Sequence, residues 1–365
     1  MKKLLLINWR DIRNPETGGA ETYYHEIFRR VAAGGEYDVT VLSHAFKGAP
    51  AREDIDGTHV IRMGSRSLFN LQIIPFVRAH QRDFDLIIED LNKIPFFTRL
   101  YVHRPRLQLA MHFFGAAIFR EVAFPFAAYV HAMESLIRLV YRGERFVAIS
   151  GSTRADLLAM VGVRTRVDVV EPGVDTSFFR PTQPKSPTPT LVYVGRLKKY
   201  KNVQFVIRCL PAIRQQAPGV RLIIAGSGDY RGELECLVAG LHLGDAVSFA
   251  GFVSEEQKRD LLSSATLMPN PSVKEGWGIT NIEANLCGTL SVSSNVHGLR
   301  DSVRDGETGV LYRPDDEADF AAKTVALLTD AARRAAMEAK AIEFGKTFAW
   351  DSMAAAMLTV LRSVA

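Results

Sequence analysis

Short apolar runs alternate with longer stretches in which apolar residues recur at helical spacing. In the first half the runs fall at residues 4–8, 39–43, 59–63, 86–89, 107–112, 146–149 and 167–170, with a helical pattern over 21–33. Runs this short, apolar at consecutive rather than alternate positions, suit strands buried on both faces of a parallel sheet. A second set follows, with strands at 191–194, 221–225, 247–249, 267–269 and 290–293, and helices at 204–215, from about 232, and at 255–264. This order predicts an α/β protein made of two doubly wound, Rossmann-like halves.

The stretch 180–190 (RPTQPKSPTPT) carries four prolines. Proline fixes φ and removes a backbone donor, so an extended, semi-rigid connector is expected there. The expected division is a first domain over 1–172, a linker over 173–190, a second domain over 191–348 and a tail over 349–365. In the tail, an apolar helix at 353–361 is long enough to pack back on a domain surface.

Composition narrows the class. A chain of 365 residues exceeds one ordinary core, and 47% apolar with 23% charged residues is globular composition. The net charge of +5 is too small to indicate nucleic acid, and no interleaving of aromatic and basic residues typical of such binders occurs. The first apolar run is too short for a signal peptide and reads as a strand. No stretch reaches the roughly 18 apolar residues of a membrane span; the nearest, 122–133, holds Pro125 and His131. Three cysteines, Cys209, Cys236 and Cys287, lack ligand spacing and even pairing. A reducing compartment, the cytoplasm, without disulfides or structural zinc is the expectation.

The chemistry concentrates at 271–283 (PSVKEGWGITNIE), where Glu275 and Glu283 stand eight positions apart around a glycine-flanked loop that opens a helix. Glycines let backbone N–H groups approach a phosphate, the helix N-terminus adds partial positive charge, and each carboxylate can accept hydrogen bonds from paired sugar hydroxyls. A second station is Gly195-Arg196-Leu197 with Lys198, Lys199 and Lys201, which follows the first strand of the second half. Arg196 can grip phosphate with its planar fork and Lys201 can add a point charge; the alternative is a solvated basic loop. A third is Gly18-Gly19-Ala20-Glu21, either an anion cradle or a turn with Glu21 capping the helix. Ten positions separate Asn8 from Gly18 and a third spaced glycine is absent, so a dinucleotide oxidoreductase fingerprint is not met. Asp54-Ile55-Asp56 and Asp83-Phe84-Asp85 spell a metal-diphosphate pattern, but both read as surface turns or strand starts.

In this order, Gly195-Arg196-Leu197 with Lys201, Ala225-Gly226-Ser227-Gly228, Glu275-Gly276-Trp277-Gly278 with Glu283-Ala284, and Gly306-Glu307-Thr308-Gly309 resemble the family-4 retaining glycosyltransferases. The front half joins through Gly18-Gly19-Ala20-Glu21, Val147-Ala148-Ile149-Ser150 and Pro172-Gly173-Val174-Asp175. The resemblance implies a GT-B fold: two facing Rossmann-like domains, an interdomain cleft, and a C-terminal helix returning to the first domain. It implies transfer of a hexose from a UDP- or GDP-linked donor to a hydroxyl acceptor (a glycan, glycolipid or secondary metabolite) with retention and without metal or cofactor. It implies Glu283 on the ribose, and Glu275 with Gly276, Trp277, Gly278, Ile279 and Thr280 on donor sugar and diphosphate. Arg196 and Lys201 neutralise the leaving group, Gly251 and Val253 flank the base, Gly18 and Gly19 line the substrate site, and His112 faces the donor sugar. A nucleotide-sugar epimerase, a phosphorylase and a non-catalytic nucleotide-sugar-binding protein are the alternatives.

The chain departs from commoner members at Asn281, Asn285, Leu286, His297 and Arg300. Aromatics also crowd residues 94–97 and 112–126 beside arginines. They read either as filling of the front-domain core and interdomain seam, or as a surface for a lipid-linked or bulky apolar acceptor at an anionic membrane.

Overall fold

The computed structural model describes residues 1–91, 94–113, 115–120 and 124–364. The chain divides into two compact units, Met1–Gly173 with Trp350–Ala365, and Val174–Ala349.

The first unit contains β1 (Lys2–Ile7), α1 (Gly19–Ala33), β2 (Tyr37–His44), β3 (Arg52–Ile55), β4 (Thr58–Met63), α2 (Phe69–His80), β5 (Leu86–Asp90), β6 (Arg106–Ala110), α3 (Phe124–Val140), β7 (Phe146–Ala148), α4 (Gly151–Val161) and β8 (Val167–Val169). Its sheet runs β3-β4-β2-β1-β5-β6-β7-β8. Leu4 to Ile7 are all buried, as a strand covered on both faces requires. The edge pair β3 and β4 is antiparallel, closed by Asp56 and Gly57, both at positive φ. An Asp-Gly pair of this conformation is a tight hairpin turn. The first Asp-x-Asp is thus a hairpin: Asp54 pairs with His59, and Asp56 with His25 at 2.9 Å. In the second, Asp85 accepts from the Lys3 N–H at 2.8 Å and pairs with Arg104.

The second unit contains β9 (Thr190–Val194), α5 (Val203–Gln216), β10 (Arg221–Ala225), α6 (Arg231–Gly240), β11 (Val247–Gly251), α7 (Glu255–Ser264), β12 (Leu267–Asn270), α8 (Ile279–Leu286), β13 (Leu290–Ser294), β14 (Gly309–Tyr312), α9 (Glu317–Thr329) and α10 (Ala331–Lys346). Its parallel sheet runs β11-β10-β9-β12-β13-β14, so the winding reverses between β9 and β12. In open α/β sheets the crevice at such a reversal, beyond the strands' carboxyl ends, is where ligands bind.

The last helix, α11 (Trp350–Arg362), returns to the first unit. It packs on α1, with Arg30 2.6 Å from Asp351, Arg362 2.8 Å from Glu36, and Met357 and Leu361 buried. Gly173 meets the start of this helix; a Cβ there would lie 2.6 Å from the Trp350 ring.

The proline-rich stretch, expected as a connector, lies within the second unit and is fastened along it. Thr182 donates to Asp260 at 2.7 Å, and the Lys185 ammonium donates to the carbonyls of Ala265 (2.8 Å) and Gly288 (2.6 Å) and to Thr289 Oγ1. The aromatic-rich segments divide as well. Phe96 and Phe113 are core residues, whereas Phe119, Phe124 and Phe126 are exposed and lie outside the front-domain core. Phe114 and residues 121–123 of that segment lie outside the described residues. No helix among the described residues is long and apolar enough to cross a membrane.

Candidate functional site

Two loops leave the second sheet at its reversal: 195–202 after β9 and 271–278 after β12. The first rests on the glycines that follow β10. The Leu197 N–H donates to Ser227 O at 2.8 Å, and the Tyr230 N–H to Leu197 O at 3.1 Å. A Cβ on Gly226 would collide with the Gly195 carbonyl, and one on Gly228 with the Leu197 carbonyl. Small residues here are a packing requirement of the loop that carries Arg196. The two loops are stitched together by the Val273 N–H, which donates to Tyr200 O at 3.0 Å.

This framework brings three expected residues together. The Lys201 ammonium forms an ion pair with Glu275 and lies 5.4 Å from the Tyr200 ring centroid. Arg196, exposed at the loop's edge, donates through Nη2 to the Tyr200 hydroxyl at 3.1 Å. The basic loop is therefore organised rather than merely solvated. Glu275 is held from behind by Gly298, where a side chain would strike the Glu275 carbonyl. Gly278 caps α8 in the left-handed region at φ 88°, and a Cβ there would come within 2.7 Å of Leu299. The half-buried Ile279 and Thr280 then form the first turn, whose N–H groups point out of the helix start beside Gly276.

The Trp277 ring is buried and packs 5.4 Å from Phe348, and its Nε1–H has no protein partner. Behind the loop, Asn281 accepts from Asn270 Nδ2 at 3.0 Å and donates to Ser302 Oγ at 2.9 Å, so this departure from commoner relatives builds a buried polar brace.

Glu283 on α8 is buried. Its Oε1 is 2.9 Å from the Lys258 ammonium on α7, and its Oε2 is buried with no protein partner. Burial raises the Glu283 carboxyl above its ordinary value, against the pull of Lys258. Burial lowers Lys258, but Glu283 and Glu255 outweigh it and the net shift is upward. Lys258 also lies 2.7 Å from Glu255 and 4.9 Å from the Phe179 ring centroid. The sequence reading missed this lysine, because a lysine within Glu-Glu-Gln-Lys-Arg-Asp has every appearance of a solvated helical face.

At the end of β11, Gly251 adopts φ 72° and Val253 is half-buried. An open groove of about 570 Å³ adjoins them, lined by Ala250, Phe252, Val253, Gln257 and Asp260 among others. In the first unit, His112 is half-buried two residues beyond β6. The Gly18 N–H donates to Glu21 Oε2 at 2.8 Å. That is the helix-capping alternative for Gly18-Gly19, since the α1 N-terminus already carries its own carboxylate. Among the described residues, no group of three or more His, Cys, Asp or Glu is placed to hold a metal ion.

Two parallel-sheet α/β units of this kind are the architecture of the GT-B class. Residues 175–344 match the model of glycosyl transferases group 1 and residues 17–178 that of glycosyltransferase family 4. The chain belongs to this glycosyltransferase family. It is similar to glycogen synthase of Mycobacterium tuberculosis, with 32% identity over 236 residues, 63% of this chain and 56% of the relative. The matched region thus spans little more than half the length of that relative. Among solved structures, the fold is similar to sucrose-phosphate synthase of Thermosynechococcus elongatus (TM-score 0.82, 21% identity, 100% of this chain and 99% of that one). It is also similar to Anabaena HepE in complex with UDP and glucose (TM-score 0.74, 19% identity, 100% of both chains).

Proposed function

We propose that this protein transfers a hexose from a UDP- or GDP-linked donor to a hydroxyl acceptor, with retention at the anomeric carbon and without a metal ion. The observation that carries the reading is the convergence of Arg196, Lys201 and Glu275 at the reversal of the second sheet. The orphaned oxygen of Glu283 in the same unit supports it.

Breaking the bond between the anomeric carbon and the diphosphate oxygen leaves positive character on the sugar and negative charge on the phosphate. Arg196 and Lys201 meet that phosphate charge, a task a metal performs in other architectures. In the free protein Glu275 keeps Lys201 in place; with donor bound, Lys201 turns its charge to the diphosphate and Glu275 takes hydroxyls of the sugar. Glu283 accepts the ribose hydroxyls through Oε2, and Gly251 and Val253 flank the base. The acceptor oxygen bonds to the anomeric carbon on the face the phosphate leaves, and its proton passes to the departing phosphate oxygen. For His112 the assignment to the donor sugar rests on the family resemblance alone. The fold neighbour that holds UDP and glucose supports the donor class.

The test is a thermal-stabilisation screen of nucleotide sugars, followed by assay of nucleoside diphosphate release from the best binder with candidate acceptors. Acceptor-dependent release with a retained anomer, unaffected by EDTA, is expected. Conversion of the donor without acceptor would indicate an epimerase, and binding without turnover a non-catalytic protein.

A further inference from the structure

Helix α3 of the first unit is apolar on the side it buries and also on the side it shows to water. Its inner face is Ala127, Val130, Glu134 and Ile137, at the three- and four-residue spacing of a packed helix. Glu134, the helix's only acidic residue, is turned inward and accepts the Gly115 N–H at 2.8 Å. The outer face carries Phe124, Phe126, Tyr129, Leu136 and Leu139, all exposed, with Phe124 at 72% and Leu139 at 76%. Phe119, just ahead of the helix, is exposed too. Contiguous apolar surface of this kind marks a docking site rather than scattered exposure.

The charge on this face has one sign. Arg138, on the flank of this face in the last turn, and Arg142, two residues past the helix end, are exposed, and no exposed carboxylate lies on the helix. A second copy of the same face would bring arginines together without a carboxylate to pair them. A protein partner would need apolar and acidic surface in one strip, whereas an anionic bilayer presents both: acyl chains for the aromatic and leucine side chains, lipid phosphates for the arginines. Seventeen residues make a rod of about 25 Å, too short and too polar at its end to span but suited to lie in the interfacial plane.

We propose that the outer face of α3 docks the protein on an anionic phospholipid bilayer, with the helix parallel to the surface. Phe124, Phe126, Tyr129, Leu136 and Leu139 enter the headgroup boundary, and Arg138 and Arg142 contact lipid phosphates. The proposal deepens the transferase reading by bringing the protein to lipid-borne hydroxyl acceptors, but docking itself does not depend on sugar transfer.

The experiment is co-sedimentation of the full chain with vesicles of phosphatidylcholine containing phosphatidylglycerol, and with phosphatidylcholine alone. Binding to the anionic vesicles is expected, at least about tenfold weaker in the double variant Phe124→Ser, Leu139→Ser. The variant Arg138→Ala, Arg142→Ala should lose the preference for anionic over neutral vesicles. Both pairs are exposed, so circular dichroism and nucleotide affinity should match wild type. Retained nucleotide binding also separates a failure of docking from a failure of the donor-site reading. Absence of binding to anionic vesicles overturns the proposal, as does binding undiminished in the first variant. A dimer in sedimentation velocity that the same substitutions dissolve also overturns it, since a second copy would then cover the face.

Discussion

The Lys258 ammonium lies 2.9 Å from Glu283 Oε1, while the opposite oxygen of the same carboxylate is buried with no protein partner. One oxygen is anchored and the other is presented, as a side chain awaiting ribose hydroxyls requires. Lys258→Met leaves a buried carboxylate unpaired, and burial then raises its pKa further than in wild type. Ribose hydroxyls donate to the ionised form, so the variant's nucleoside diphosphate affinity should begin to fall at a higher pH than wild type's as pH is lowered, and recover as pH rises. A loss on the order of ten- to a hundredfold is expected, the worth of a hydrogen bond to a charged group. Calorimetric titration across pH checks it; a pH-independent loss would mean that Lys258 acts only through packing.

Arg196→Ala and Lys201→Ala should each lower turnover by on the order of 100- to 1000-fold, the usual cost of removing one preorganised group that stabilises developing charge. Initial rates of nucleoside diphosphate release at saturating donor measure this. Near-normal turnover in either variant would remove that residue from the mechanism.

Gly228→Ala places a methyl group against the Leu197 carbonyl, so the loop carrying Arg196 must move. A destabilisation of about 1–3 kcal/mol is expected from such overpacking, with weaker donor binding. Gly232→Ala, in α6 with open space around its Cα, is the control and should leave donor binding unchanged. Urea unfolding and donor titration of both variants decide the matter.

The Asp-x-Asp of the first unit makes a different prediction. The Asp54 carboxylate hydrogen-bonds His59, and with Asp38 it raises the imidazole pKa. A raised histidine adds stability that is complete below its unfolded value of about 6.5 and disappears as pH rises through the folded value. Both side chains are largely exposed, so the contribution should stay below about 1 kcal/mol. NMR titration should place the His59 midpoint above 6.5 in wild type and lower it in Asp54→Asn. Turnover of that variant should be unchanged; a lost activity rescued by magnesium or manganese would restore a metal role to the motif.

Much of the fold was legible because its strands are buried on both faces, and such strands appear as consecutive apolar runs whatever they pack against. The donor station was legible for a related reason. Arg196, Lys201 and Glu275 sit on loops that follow strand ends, and Glu283 lies in the helix that continues the second loop. What escaped depends on tertiary contact. The hairpin at Asp56-Gly57 carried a turn signal, but its first strand, β3, is a short edge strand of mixed polarity. Prolines announce that 180–190 is extended, not what it lies along, and the acceptors of Lys185 come from residues 80 to 104 positions away. Lys258 is half-buried against Glu283, where α7 packs on α8. An all-round apolar helix such as α3 gives no periodic sign of which side meets water.

Titration of UDP and GDP against wild type, Glu283→Gln and the double variant Arg196→Ala, Lys201→Ala reaches the central claim most directly. One of the two nucleotides should bind wild type, at least about tenfold more weakly in Glu283→Gln. In the double variant the advantage of the diphosphate over the corresponding nucleoside should vanish. Equal affinity in all three proteins, or no binding of either nucleotide to a folded wild type, would contradict the assignment of a nucleotide-sugar donor to this site.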